Sequence, residues 1–308
     1  MKVDLVVRFF NEHIYAEHFI QYYLSLGFDR IHILYQSGQA PISITNDKVS
    51  LIHHNHPGNE VFHHMTSLVA TTADWILMCD ADEYLYIREY KNIKAFLKMI
   101  PADIDQLFFQ WAMIENYTYM TGKSDLFDIL TTHKLYENSH IKSMIRLELF
   151  KKGHFTAHLC SKGVQNYLWD RGVECIPRHE PAVENYTSTT YPFLIHFHTR
   201  SLQNTMIKGI TTFINNTKKM DLDALNAILT EPNLDIALKP FVKLRLPFCH
   251  AHGSVIPMKI TLKSCPVDYN KESAMLERIC RENNINYSLL TAFIKRVSDK
   301  FSERFKLG

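Results

Sequence analysis

The residues best suited to chemistry lie in one stretch, Trp75-Ile-Leu-Met-Cys-Asp80-Ala-Asp82-Glu83-Tyr-Leu, where an apolar run ends in three carboxylates within four positions. Like charges this close repel, and a purely structural role has little use for them. A hard divalent cation removes the conflict. Mg²⁺ and Mn²⁺ prefer oxygen ligands and are commonly shared between one or two carboxylates and the phosphates of a substrate. The alternative is an acidic strand-to-loop turn with Asp80 or Asp82 capping a helix. The apolar run ahead of the cluster reads as a buried strand, which favours the cation.

Histidine is the other abundant ligand type. Many of the 17 His lie in pairs or near-pairs: His53 and His54, His63 and His64, His154 and His158, His196 and His198, His250 and His252. Each pair is a candidate for a metal, although strand residues two apart and loop neighbours are more often solvated or satisfied in a core. The six cysteines are scattered without a CxxC, so reduced thiols are expected. Phe248-Cys-His250-Ala-His252 lacks the further paired ligands of a closed zinc site and reads as structural.

The elements that must position the carboxylates follow from periodicity. Val3 to Phe9 is a nearly continuous apolar run, as a strand buried on both faces reads. His13 to Leu26 carries apolar positions at helical spacing and stops at Gly27. Strands are predicted at 30–35, 49–53 and 75–79, with a helix over 61–72. Alternation of strand and helix over the first 80 residues predicts a parallel sheet covered by helices, with ligands at the carboxyl ends of its strands. Asp80 falls at such an end. Further strands are predicted at 106–113, 143–150 and 193–198, in a middle segment of long glycine-containing loops that suits a substrate-facing half. Helices are predicted at 201–215, 221–229, 271–282 and 288–305.

Composition narrows the classes. A chain of 308 residues with 46% hydrophobic and 21% charged residues has ample material for a core. Lys and Arg number 34 against 32 Asp and Glu, so no nucleic-acid partner is expected. The N-terminal stretch has no apolar signal core, and no apolar run approaches the roughly 20 residues of a transmembrane helix, so a cytoplasmic location is expected. Leu290, Phe293, Ile294, Val297, Phe301 and Phe305 form an apolar stripe among basic residues. Packing on the protein is the favoured reading, and a peripheral contact with the inner face of a membrane the alternative.

An ordered set of residues carries a family resemblance. Arg8-Phe-Phe-Asn11-Glu12, Leu26-Gly27-Phe-Asp29, Asp74-Trp75, Asp80-Ala-Asp82-Glu83, Lys142-Ser-Met-Ile-Arg146 and Ile195-His196-Phe-His198-Thr-Arg200-Ser201, with Lys208 beyond, resemble the glycosyltransferase family 92 and family 2-like group of GT-A glycosyltransferases. The group's usual Tyr after the late His is Phe197 here. The resemblance spans about residues 3 to 215. It implies a GT-A, Rossmann-like, mostly parallel α/β sheet over residues 1–218, with a helical C-terminal extension over 219–308. It also implies an inverting, hexosyltransferase-type enzyme that takes a nucleotide-sugar donor and a glycan or lipid-linked glycan acceptor.

Residue roles follow from the resemblance. Asp80 would contact the ribose or the metal, Asp82 would ligate the metal, and His196 would complete its site. An imidazole beside carboxylates shifts the preference from Mg²⁺ toward Mn²⁺. Asn11 and Glu12 would lie beside base and ribose, with Arg8 orienting their loop. Lys142, Arg146 and Lys208 match basic positions suited to a diphosphate. Direct displacement needs one general base. Asp170, in Tyr167-Leu-Trp-Asp170-Arg-Gly, is the first candidate and Glu115 the second, although a loop Asp before Gly is more often a turn former. Trp111 and Trp169 are candidates for stacking on a sugar, with core packing the commoner use. The competing functions are a nucleotidyltransferase, disfavoured because residues 1 to 12 contain no glycine, and a non-catalytic nucleotide-sugar or glycan-binding protein.

Overall fold

The computed structural model describes residues 1–36, 44–56, 60–61, 64–87, 90–114, 130, 134–152, 167–168, 192–197, 201–217, 222–234, 236–237, 255–256 and 268–305. Strand β1 (Val3–Phe9) is buried along nearly its whole length. It runs parallel to β2 (Arg30–Gln36) on one side and to β4 (Trp75–Asp80) on the other, and β3 (Val49–His54) adds in parallel outside β2. Parallel neighbours need a crossover. The first is α1 (Ala16–Ser25), whose Phe19 and Tyr23 are buried against the sheet. It ends at Gly27, with φ 93°, where Phe28 N–H donates to the Tyr23 carbonyl at 3.3 Å. A side chain at Gly27 would put its Cβ 3.2 Å from that of Asn92, so conformation and space both call for glycine.

The chain turns at Ala81 and Asp82 into the short strand β5 (Glu83–Tyr86), then α3 (Ile93–Leu97), which Asn92 caps by accepting from Ala95 N–H at 2.8 Å. Strands β6 (Gln106–Ile114), β7 (Leu135–Arg146) and β9 (Phe193–His196) complete the path β3-β2-β1-β4-β7-β6-β9-β5, while β8 (Tyr167–Leu168) pairs with β6 and β10 (Val255–Ile256) with β7. β7 is antiparallel to β4, and β9 is parallel to β6 but antiparallel to β5. The sheet is therefore a mixed α/β one whose pairings are mostly parallel.

Its two faces are filled differently. On one, Val6, Leu34, Ile76, Met78 and Ile145 pack with Met65 of α2 (Met65–Leu68) and with Leu149 and Phe150 of α4 (Leu147–Lys152). On the other, Phe9, Tyr23 and Tyr84 surround Phe19 at ring distances of 5.6, 4.7 and 5.7 Å, and Phe197 meets Tyr84 edge-on at 5.5 Å.

Two predicted elements differ. The helix expected over 61–72 contracts to α2, because Val69 returns to extended backbone after a single turn. The strand expected over 143–150 is the end of the longer β7, and from Leu147 the chain is helical. The apolar run there serves the same sheet face in both conformations, which is why periodicity does not separate them.

These strands form one compact unit, 1–113 with 135–197 and 251–257, and the remaining helices a second. In the second, α5 (Leu202–Thr217), α6 (Leu222–Thr230), α7 (Tyr269–Glu282) and α8 (Tyr287–Phe305) pack through Ile207, Ile210, Leu225, Leu276, Ile279, Leu290, Phe293 and Val297. Ser201 ties α5 to α7: its hydroxyl donates to Glu272 Oε2 at 2.5 Å and accepts from Asn204 N–H at 2.9 Å. Helix α5, which the sequence places in the first domain, thus packs with the helical unit. In α8, Leu290, Phe293 and Val297 are fully buried, which leaves a membrane contact without that part of the stripe. No helix among the described residues is long and apolar enough to cross a membrane.

Candidate metal and nucleotide site

The parallel register sets Arg8 directly beside Asp80 at the carboxyl ends of β1 and β4, and the Arg8 guanidinium lies 3.4 Å from Asp80 Oδ1. After the tight turn at Ala81 and Asp82, Glu83 folds back so that its Oε2 accepts Asp80 N–H at 2.9 Å. The antiparallel pairing of β5 with β9 then places His196 opposite Glu83, and Phe197 N–H donates to the Asp82 carbonyl at 2.8 Å. His196 Nε2 comes to 3.5 Å from Asp82 Oδ1. Residues 114 positions apart in sequence meet because the sheet path brings β9 against β5.

Asp82, Glu83 and His196 are all buried, each offering one ligand atom within 4.8 Å of the others. Among the described residues no other group of three His, Cys, Asp or Glu side chains converges in this way. Two oxygens and an imidazole nitrogen suit Mn²⁺. Glu83 Oε1 is buried without a hydrogen-bond partner among the described residues, although Lys142 Nζ lies 3.4 Å away in a purely Coulombic contact. An orphaned carboxylate oxygen aimed into the cluster fits a cation ligand.

Lys142 reaches the cluster from β7 and is wholly buried. Its Nζ donates to Asp80 Oδ2 at 2.6 Å and sits 5.6 Å over the Trp111 ring. Burial alone would push Asp80 up, but the charges of Lys142 and Arg8 outweigh it and hold its carboxyl well below the usual carboxylate range. Burial pushes Glu83 up, and the neighbouring Asp80 and Asp82 add to that against the pull of Lys142. Burial would also lower Lys142, yet Asp80 and Glu83 keep it protonated, above its ordinary value.

Trp111 backs the histidine. Its ring lies 4.1 Å from that of His196 and stacks on His140 at 4.9 Å and 17°. Trp111 thus packs on the site's own histidines. The sequence singles out Trp111 as an aromatic candidate but not its place beside His196, and it gives no sign of His140, since only the sheet order sets β7, β6 and β9 side by side.

The other sequence candidates distribute as follows. Asn11 and Glu12 follow β1 and are buried, and Asn11 has φ 56°, a left-handed backbone that a non-glycine residue adopts at local cost. Arg146 lies at the opposite end of β4, paired with Trp75, about 16 Å along the strand from Asp80. Its guanidinium donates to the Ile104 and Ala102 carbonyls at 2.7 and 3.0 Å and stacks 4.5 Å over Trp75. The structure does not bring it to the carboxylates. Lys208 lies on α5 in the helical unit. Glu115, Asp170, Trp169 and His198 lie outside the described residues. The metal set expected from the resemblance was Asp80, Asp82 and His196. In the converged set Glu83 stands in place of Asp80, whose oxygens face Arg8 and Lys142.

No family model matches the chain, and no curated protein does. Among solved structures, the galactosyltransferase LgtC in complex with donor and acceptor sugar analogues is similar over 48% of this chain and 59% of its own, at 14% identity and a TM-score of 0.26. The match therefore spans less than two thirds of LgtC. Residues 1–349 of S. aureus TarS with UDP-GlcNAc are similar over 79% of this chain and 81% of that one, at 12% identity and a TM-score of 0.32. A second structure of the same TarS segment aligns over 100% of this chain and 92% of that one, at 11% identity and a TM-score of 0.36. The geometry of the carboxylate cluster, rather than these superpositions, carries the functional reading.

Proposed function

We propose that this chain is a metal-dependent, inverting glycosyltransferase that moves a sugar from a UDP-linked donor to a hydroxyl of a glycan or glycolipid acceptor, in surface polysaccharide or lipooligosaccharide synthesis. The observation that carries the reading is the buried convergence of Asp82, Glu83 and His196 at the carboxyl edge of the sheet, next to the Arg8–Asp80 pair. Ligands of open parallel sheets bind at this edge.

Asp82, Glu83 Oε1 and His196 Nε2 would hold a Mn²⁺ or Mg²⁺ ion. When bound, that ion stabilises negative charge on a leaving diphosphate as a Lewis acid. Asp80, kept ionised by Arg8 and Lys142, is a ready acceptor for a ribose hydroxyl. Asn11 and Glu12, which directly follow the strand that carries Arg8, are assigned to the base and ribose by the family resemblance. The proton acceptor for the attacking hydroxyl is assigned to Asp170, with Glu115 second, from the sequence pattern.

The test is a thermal-shift panel of nucleotide-sugars with and without Mn²⁺, followed by donor-hydrolysis assays. A bound donor should raise the melting temperature only when metal is present. One UDP-sugar should stand out and be turned over above background. Binding without turnover would favour the non-catalytic alternative, and no Mn²⁺-dependent shift with any nucleotide-sugar would remove the reading.

A further inference from the structure

The carboxylate cluster contains a cation of its own. Asp80, Asp82 and Glu83 share their surroundings with two positive charges, Lys142 and Arg8. Lys142 has no exposed surface, and its Nζ contacts both Asp80, at 2.6 Å, and Glu83, at 3.4 Å. A lysine is rarely buried so completely unless it is paired. The stem is fixed where β7 emerges beyond its last ladder pair with β4, Met144 opposite Leu77, and Trp111 closes over the ammonium. The position is therefore built into the fold.

We propose that Lys142 is a built-in counter-cation of the metal site: it holds Asp80 and Glu83 in place when no metal is bound, and it weakens metal binding until a donor diphosphate supplies further ligands and negative charge. The proposal rests on the metal-site reading above. Its physical basis is that Lys142 and an incoming divalent ion share one carboxylate. Glu83 Oε2 is already committed to Asp80 N–H, so Oε1 is the atom a metal would take, and Nζ lies 3.4 Å from it. Two cations facing one buried oxygen repel strongly where the dielectric is low. A diphosphate beside the ion would relieve that repulsion and complete the coordination that Mg²⁺ or Mn²⁺ ordinarily draws from phosphates. Metal and donor should then bind cooperatively, each strengthening the other by the same factor.

Lys142→Met keeps the length and apolar stem while deleting the charge. Calorimetric titration of the full chain with Mn²⁺ alone, at neutral pH, should show the variant binding about tenfold or more tightly than the wild type. Saturating UDP should then tighten Mn²⁺ binding more in the wild type than in the variant. Equal or weaker binding of Mn²⁺ alone by the variant overturns the proposal. Folding of the variant only in the presence of Mn²⁺ supports it, since the ion then replaces the ammonium. If the variant does not fold with or without Mn²⁺, wild-type melting decides: about 1 mM Mn²⁺ without nucleotide should move the midpoint by less than about 2 °C, and a larger rise overturns the proposal. The two readings fail separately. Tighter Mn²⁺ binding by the variant with no UDP binding by either protein removes the donor reading and leaves the role of Lys142. Unchanged Mn²⁺ affinity with intact UDP binding does the reverse.

Discussion

Tyr23→Phe removes a single oxygen that three buried groups share. The Tyr23 hydroxyl donates to the Glu83 carbonyl at 2.9 Å and accepts from Leu85 N–H at 3.2 Å and from the Cys79 thiol at 3.7 Å. Glu83 and Leu85 are fully buried, so water cannot replace the lost partner. Each buried backbone group left unsatisfied costs about 1–3 kcal/mol, and the weak thiol donor adds little, so the loss should be about 3 kcal/mol. In a unit of this size that corresponds to a fall in melting temperature of about 6–12 °C. Tyr22→Phe is the internal control. Its hydroxyl donates to the Leu85 carbonyl at 2.8 Å, and loss of that bond should cost about 1 kcal/mol. Thermal and urea unfolding of both variants gives the comparison. Because Tyr23 also fixes the strand that presents Glu83, its removal should weaken Mn²⁺ binding in the presence of UDP, while Tyr22→Phe should not. Equal destabilisation by the two variants would refute the reasoning.

Two further outcomes separate structural from functional residues. Arg146→Ala should destabilise the chain by about 1–3 kcal/mol through the lost carbonyl contacts and the exposed Trp75 ring, with nucleotide affinity in calorimetry unchanged; a tenfold loss of UDP affinity would return Arg146 to the diphosphate. Asp170→Asn should keep donor binding and lower turnover by about 10²-fold or more, and near-normal turnover would transfer the proton-acceptor role to Glu115 or elsewhere.

The legible part of this molecule is the part governed by local pattern. The apolar run of β1, the 3.6-residue spacing that ends at Gly27, and the strand that stops at Asp80 are readable because period and terminators are written in neighbouring residues. The site divides along the same line. Asp82 and His196 were expected together from the resemblance, and the structure brings them to 3.5 Å. The substitution of Glu83 for Asp80 depends on a turn that folds Glu83 back onto Asp80 N–H, a contact that sequence spacing does not encode. Arg146 shows the same limit from the other side. Four residues from Lys142 on one strand, it projects to the far end of β4, where backbone carbonyls and Trp75 take its fork. Nothing in the local sequence distinguishes a lysine bound for a buried carboxylate cluster from an arginine bound for a loop. The helix at 61–72 contracts because an apolar period over a loop-rich stretch, with histidines at its start, can be met by one turn followed by extended backbone.

The most direct test of the metal site is pulsed electron paramagnetic resonance on the full chain loaded with Mn²⁺ and UDP. The site as described predicts a ¹⁴N coupling from a directly bound imidazole together with ³¹P coupling from the diphosphate, and loss of the ¹⁴N signal in His196→Gln with ³¹P coupling retained. A Mn²⁺ spectrum without nitrogen coupling, or one whose nitrogen coupling survives His196→Gln, would contradict it.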